Sequence, residues 1–268
     1  MVEKTNKTVA VMVVYEWVRT AWYRLQGKIA VRMGDQHFSC DPENLNFWDK
    51  VNDGRWEPRT FAVLDRLLTT GKTYCDIGAW IGPTVLYAAR NCRQVYCLEP
   101  DRVAYRFLLQ NIQLNRLENV MPFNLALAAE EGLQRMASPR GKRGDSMTSL
   151  LVPDGARGMD VLCLTWENWL NLIGRPVLDT IKMDIEGGEF NLLPEMSGYL
   201  DEHRPQLYLS LHPHLLPEAE RVKNMAVVVA ALKMYRGCYN RDGEKIELES
   251  LLEEQAVNRA GTYLLLPE

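Results

Sequence analysis

The chain has 268 residues, of which 47% are hydrophobic and 25% charged, an ordinary globular balance with room for one large core. A net charge of −4 argues against a nucleic-acid binder as the reading of the whole chain, so no nucleic-acid partner is expected. Six cysteines, at 40, 75, 92, 97, 163 and 238, form no Cys-x-x-Cys pair, which argues against zinc or disulfides and for buried free thiols in a reducing, cytoplasmic compartment.

Residues 8–25 read as an amphipathic helix. Val9 to Tyr15 is apolar, but Glu16 and Arg19 interrupt the run well short of the roughly 20 residues that a bilayer span needs. No clear signal-peptide cleavage site is present. Residues 1–32 carry six Lys or Arg against two Glu, which leaves a membrane-surface role open. Packing on the domain or on a second subunit of a homodimer is the favoured use of this helix. Lys28–Arg32 and Gln36–Cys40 flank Met33-Gly34-Asp35 as a hairpin with a glycine turn. Residues 44–70 read as two helical pieces broken at Asp53-Gly54, the second opened by Pro58 and carrying Phe61, Leu64, Leu67 and Leu68 on its apolar face. Residues 1–55 are expected as an extension packed on a main domain of residues 56–268.

From residue 72 strands and helices alternate. Strand 72–77, helix 83–91, strand 94–99, helix 102–115 and a strand near 119–125 precede a Gly/Arg/Ser-rich interruption at 132–158. Strand 160–164, helix 166–173, strand 179–184, a helix near 188–200, strand 206–211 and helix 216–233 follow. Met234–Asn240 and Thr262–Pro267 look like a terminal antiparallel pair. The alternation argues for an α/β domain whose mostly parallel sheet is covered on both faces. In such sheets ligands sit outside the carboxyl ends of the strands.

At the first such end, Thr73–Ile77 runs into Gly78-Ala79-Trp80-Ile81-Gly82, with Pro83 at the first helical position. Gly78 and Gly82 let the backbone lie close to a ligand, where a side chain would collide. The N–H groups of the helix start can hold a polar group. The next strand ends at Glu99, 17 residues after Gly82, suited to accept hydrogen bonds from both hydroxyls of a ribose. Asp76, before the first glycine, would repel a pyrophosphate but could organise the ammonium of an amino-acid cofactor, directly or through water. That combination points to S-adenosylmethionine rather than NAD. Further on, Lys182-Met183-Asp184-Ile185-Glu186-Gly187-Gly188-Glu189 gathers three carboxylates at a strand-to-helix junction. Alternation puts Lys182, Asp184 and Glu186 on one side, while Glu189 is explained by the dipole of the following helix. Strand 206–211 ends at His212, which can act as a general base near neutral pH.

These motifs together resemble the FkbM-type family of S-adenosylmethionine-dependent methyltransferases, from about Trp56 to Pro267. Trp56-Glu57-Pro58 resembles the family's segment before the first strand. Asp76-Ile77-Gly78-Ala79-Trp80-Ile81-Gly82 is similar to its cofactor turn, with Trp80 where Asn is frequent. Glu99-Pro100 matches its second-strand acid, and Asn124-Leu125-Ala126-Leu127 its adenine-holding segment. Lys182 to Glu189 matches its most specific motif, and Ser210-Leu211-His212 stands where Glu-x-His is common. The resemblance implies a Rossmann-like doubly wound sheet, mostly parallel with a C-terminal antiparallel strand. It implies a cofactor site of Asp76, Gly78, Ala79, Gly82, Glu99, Pro100, Asn124, Leu125 and Ala126. It also implies O-methylation of a hydroxyl on a sugar, nucleotide sugar, polyketide or other small molecule, with S-adenosylhomocysteine as product. On this reading His212 is the base and Asp184 and Glu186 are catalytic beside it. A Mg2+-assisted variant on Asp184 and Glu186 is not favoured. Arg140, Lys142 and Arg143 read as part of a solvated loop, with a lid over an acidic acceptor as the alternative. An NAD-dependent oxidoreductase and a non-catalytic S-adenosylmethionine-binding protein are the competing classes.

Overall fold

The computed structural model describes residues 17–151 and 157–267. The first half of the expected N-terminal helix and residues 152–156 of the 132–158 stretch lie outside the described residues. Residues 17–26 form helix α1. Strands β1 (Ile29–Met33) and β2 (Gln36–Cys40) pair antiparallel as the expected hairpin. Alternation buries Ile29, Val31 and Met33 on one face, where Phe38 and Cys40 join them. Asp41 accepts the Asn44 N–H at 2.9 Å and starts the short turn Pro42–Asn44 that leads into α2 (Leu45–Asn52). The chain breaks after α2 and resumes at Pro58 as α3 (Pro58–Leu67).

The alternating part then runs β3 (Thr73–Ile77), α4 (Pro83–Asn91), β4 (Gln94–Leu98), α5 (Arg102–Leu114), β5 (Val120–Phe123), β6 (Ala126–Leu127) and β7 (Gly132–Met136). It continues through β8 (Met159–Leu164), α6 (Trp166–Leu172), β9 (Thr180–Met183), α7 (Glu189–His203), β10 (Gln206–Leu211) and α8 (Glu218–Leu232). The last elements are β11 (Gly237–Tyr239), β12 (Lys245–Ile246), α9 (Glu254–Asn258) and β13 (Gly261–Leu266).

The main sheet has the order β12-β11-β13-β10-β9-β3-β4-β5. Strands β10, β9, β3, β4 and β5 are parallel, and β13 lies antiparallel between β10 and β11. This is the expected Rossmann-like, doubly wound sheet with its C-terminal antiparallel strand. The chain steps outward from β3 to β5 and then returns to β9 on the other side of β3, so the crevice opens beyond Ile77 and Met183. Every residue of β3 and β9 is buried, as a strand covered on both faces requires. On one face Cys75, Ile77, Ile181 and Met183 pack with Trp166 and Trp169. On the other, Tyr74, Val95 and Cys97 share a core with Val31, Met33, Trp48 and Leu64. The hairpin and α2 are thereby part of the wall behind the crevice.

One expected strand sits elsewhere. β8 leaves the main sheet and forms a separate three-stranded sheet in the order β6-β8-β7. Its alternating exposure suits a strand with one wet face, unlike the fully buried β3 and β9. The stretch 132–158 also contains regular structure, since β7 pairs antiparallel with β8. All six cysteines are free and buried. Among the described residues no helix is long and apolar enough to cross a membrane.

Candidate active site at the strand ends

The turn after β3 is shaped first by the protein itself. Gly78 has φ 90°, and a Cβ there would stand 2.0 Å from the carbonyl oxygen of Asp184. At Gly82 a Cβ would stand 2.5 Å from Cδ1 of Leu108. At both positions the neighbouring strand end or helix already excludes a side chain, apart from any ligand. Trp80 also has a left-handed backbone, φ 50°, and its N–H donates to Oε2 of Glu99 at 2.8 Å.

Asp76 lies below this turn, fully buried. It accepts hydrogen bonds from Tyr74 Oη at 3.1 Å, from Thr84 Oγ1, and from Lys182 Nζ at 3.3 Å. Asp76 thus already holds one ammonium of the protein itself, that of Lys182. Thr84 and Lys182 line the adjoining cleft and Asp76 does not, so a ligand would feel Asp76 through them. Burial opposes the charge on Lys182, but Asp76 and Asp184 outweigh it and hold the ammonium well above its usual range.

Glu99 faces a cavity whose walls include Gly78, Trp80, Pro100, Leu125 and Ala126. Its second oxygen accepts the Asp101 N–H at 2.7 Å. Burial pushes the Glu99 carboxyl up, the two N–H donors pull it back, and the charges of Asp101 and Asp76 add to the rise, giving about 8. A carboxylate has about four acceptor sites, so capacity remains for ligand hydroxyls. Asn124 does not line the cavity; its amide donates to the carbonyls of Glu99 at 2.8 Å and Pro100 at 3.1 Å, fixing the wall. Ala79 lines the neighbouring cleft, and Gly82 lines neither space.

Asp184 and Glu186 line the other end of the cavity, and the chain brings His212 beside them from a neighbouring cleft that it lines with Ser210 and Tyr263. The reversal after β9 uses Glu186 at φ 51° and Gly187 at φ 97°. Nε2 of His212 lies 3.7 Å from Asp184 Oδ1 and 3.9 Å from Glu186 Oε2. Nδ1 of His212 lies 2.9 Å from Oε1 of Glu189. Glu189 is fully buried and also accepts the N–H groups of Ile185 at 3.0 Å and Gly187 at 2.8 Å. It stands in the first turn of α7, as a dipole complement should, and it also holds both the β9–α7 reversal and the imidazole. This is the site residue that sequence reasoning missed. The signal was its place in the Lys182–Glu189 motif, and it supplies the acid that Ser210 does not.

Burial works against a charge on His212, but Glu189, Asp184 and Glu186 prevail and push its pKa up to about 9. Glu186 is pushed up to about 7, first by burial and against the pull of His212, with Asp184, Glu189 and Asp145 adding to the rise. Asp184, Glu186 and His212 each present one ligand atom within 4.8 Å of the others, a set that could also hold a metal ion.

The segment expected as a solvated loop is fastened over this site. Gly144 donates its N–H to Asp101 Oδ2 at 2.6 Å and accepts the Trp80 indole N–H at 3.0 Å. Ser138 donates to the buried Asp145 at 2.6 Å, and Ser149 donates to the Glu186 carbonyl at 2.6 Å. Arg140 and Lys142 line a wide cleft with Arg24 and Lys50 that reaches down to Asp184 and Glu186; Arg143 does not line it.

The family model described as Methyltransferase FkbM domain matches residues 76–227. Among solved structures, the chain is similar to methyltransferase FkbM from Methylobacillus flagellatus KT, at 16% identity over 73% of this chain and 43% of that one, with a TM-score of 0.46. It is similar to an rRNA methylase from Streptococcus thermophilus, at 10% identity over 78% and 93% of the two chains, TM-score 0.45. It is also similar to M. jannaschii TYW2 in complex with AdoMet, at 14% identity over 89% and 84%, TM-score 0.45. The chain thus spans less than half the length of the Methylobacillus protein. Among curated proteins nothing matches.

Proposed function

The chain belongs to the FkbM methyltransferase family, and from that premise we propose that it transfers the methyl group of S-adenosylmethionine to a hydroxyl oxygen of a small molecule, leaving S-adenosylhomocysteine. The observation that carries this reading is one continuous space between Glu99 with its apolar neighbours and the Asp184 and Glu186 carboxylates beside His212. Leu125 and Ala126 would hold the adenine, Glu99 the ribose hydroxyls, and the Gly78–Gly82 backbone the amino-acid end. The buried Glu99 carboxyl, with acceptor capacity left and an apolar wall beside it, fits a nucleoside.

S-adenosylmethionine supplies a methyl group on a sulfonium, open to in-line displacement. The protein's part is to align the acceptor and remove its proton. Positioning alone is worth about 7–11 kcal/mol at best. In this reading Nε2 of His212 takes the hydroxyl proton, and Glu189 holds the ring through Nδ1. Asp184 and Glu186 then stabilise the imidazolium.

Carboxylates line the wide cleft too, and Arg24 is paired with Glu43 and Arg140 with Asp145, so it is Lys50 and Lys142 that favour an acceptor with a negative group, such as a nucleotide-linked sugar, over a neutral glycoside or polyketide alcohol. A reducing, cytoplasmic setting suits the six buried thiols. Calorimetry with S-adenosylmethionine and NAD, followed by a labelled-methyl screen over nucleotide sugars, glycosides and polyketide alcohols, tests the reading. Label is expected in a nucleotide sugar; binding of NAD with no binding of S-adenosylmethionine would overturn the cofactor.

A further inference from the structure

Helix α1 is amphipathic in the inverted sense: its polar side faces the protein and its apolar side faces out. Trp17, Val18, Trp22 and Leu25 are 70%, 53%, 57% and 80% exposed. With Ala21, also exposed, they span roughly 140° of the helix circumference. The opposite side does the packing. Arg19 pairs with Asp49 and Tyr23 packs against the core that holds the hairpin, while Arg24, at the edge of the apolar face, pairs with Glu43 at 2.8 Å. Of the two expected uses of this helix, packing on the domain falls to its polar side for residues 17–26, and the apolar face is left for a second subunit or a membrane surface.

We propose that this face docks the protein on an anionic lipid surface. Two tryptophans and a leucine on one helical face suit the boundary between headgroups and acyl chains, where an indole keeps its apolar body in lipid and its N–H in the wet layer. The charge distribution selects lipid over a second copy. Residues 1–32 carry six Lys or Arg against two Glu, although the chain as a whole is −4. Arg24, Lys28 and Arg32 are exposed in and beyond the same helix. A second copy would present the same basic segment against it, whereas anionic headgroups neutralise it. Thr20 and Arg24, beside the apolar face, line the wide cleft that leads to Asp184 and Glu186, so docking sets the mouth of that cleft at the membrane surface. The docking itself does not depend on the reaction proposed above.

The test is co-sedimentation of the full chain with vesicles of phosphatidylcholine and phosphatidylglycerol in a roughly 7:3 ratio, against phosphatidylcholine alone. Wild type is expected on the anionic vesicles, with weaker binding at high salt. A variant carrying Trp22→Glu and Leu25→Glu, both at exposed positions, should bind about tenfold or more weakly while keeping its circular dichroism and melting temperature. Independently of any variant, brominated lipid should quench the wild-type tryptophan fluorescence. Absence of wild-type binding, equal binding by the folded variant, or no quenching would overturn the proposal. A wild-type dimer that the variant dissociates, without vesicle binding, would overturn it in favour of a second copy.

Discussion

Nδ1 of His212, just past the end of β10, lies 2.9 Å from Oε1 of Glu189, the first residue of α7. The two Glu189 oxygens also take the N–H groups of Ile185 and Gly187. One buried carboxylate therefore shapes the turn that presents Asp184 and Glu186 and orients the imidazole that faces them. A site on three separate elements is tied together by this residue.

With His212 at about 9, its neutral fraction grows about tenfold per pH unit below that value. Turnover should therefore rise from neutral pH and level above about pH 9. His212→Ala should lower turnover by about 10²–10⁴-fold while leaving S-adenosylmethionine affinity unchanged. Glu189→Gln removes the strongest contribution that raises the imidazole, so its inflection should move down toward the ordinary histidine range. A pH profile of kcat/KM for the three proteins checks this; a flat wild-type profile would remove His212 from the role.

Stability should fall as pH rises, which is the reverse of the usual acid denaturation. His212, Glu186 and Glu99 all have folded pKa values raised, to about 9, 7 and 8. A group raised on folding stabilises fully below its unfolded pKa and loses that contribution as pH climbs through its folded pKa. Between about pH 4.5 and 9 the folded chain thus binds more protons than the unfolded one at these three groups. Melting temperature should decline across that window, and Glu99→Gln should flatten the decline between about pH 4.5 and 8, leaving the part toward pH 9 to His212. A melting temperature that rises steadily from pH 5 to 9 would contradict the three shifts.

The parts legible in the sequence were those written in local pattern. The β3 turn, the hairpin, the break at Asp53-Gly54 and the succession of strands and helices along the chain follow from periodicity and from glycine and proline positions. Strand β8 was legible as a strand but not as a member of a second sheet, because partner choice is decided by β6 and β7 and not by its own residues. The Asp184, Glu186 and His212 cluster could be placed at one rim because all three sit at strand ends. Glu189 could not, since its contact with His212 spans 23 positions and depends on how α7 leaves β9. Likewise nothing in Asp76 announces that Lys182, on the next strand of the sheet, supplies its counter-charge.

Glu99 should matter for cofactor affinity beyond its structural bonds. Its carboxyl already takes the Trp80 and Asp101 N–H groups, and above about pH 8, where it is ionised, ribose hydroxyls would add bonds to a charged acceptor. Such bonds are worth about 1.5–3 kcal/mol, so Glu99→Ala should weaken S-adenosylmethionine binding by about ten- to a hundredfold. Titration calorimetry measures it, with a thermal melt to report the structural part. Unchanged affinity in a folded variant would separate Glu99 from the ribose.

Metal removal should have little effect. Asp184, Glu186 and His212 are close enough to share an ion, but Lys182 Nζ stands 3.9 Å from Asp184 Oδ2 and already supplies positive charge there. Mg2+ also asks for an octahedron of oxygens, of which two carboxylates and an imidazole are a poor start. Dialysis against EDTA should leave turnover within about twofold. A loss that added Mg2+ restores would move the Asp184 and Glu186 carboxylates from partners of His212 to ligands of a cation.

The approach of β3 to β9 makes Gly78 the most sensitive glycine of the turn. Its φ of 90° and the 2.0 Å separation of a built Cβ from the Asp184 carbonyl act together, so Gly78→Ala must strain the backbone and push the β9 end outward. The backbone strain alone is worth about 1–3 kcal/mol. Gly71, with no left-handed φ and open space around it, is the control: Gly71→Ala should be neutral or stabilise by about 0.4–1 kcal/mol through the unfolded chain. Urea denaturation of both variants gives the comparison. Because Asp184 moves with the carbonyl that is displaced, Gly78→Ala should also lower turnover in whatever fraction folds, whereas Gly71→Ala should not. Equal stability of the two variants would mean that the turn can relax away from Asp184, and the close approach would then carry no constraint on the site.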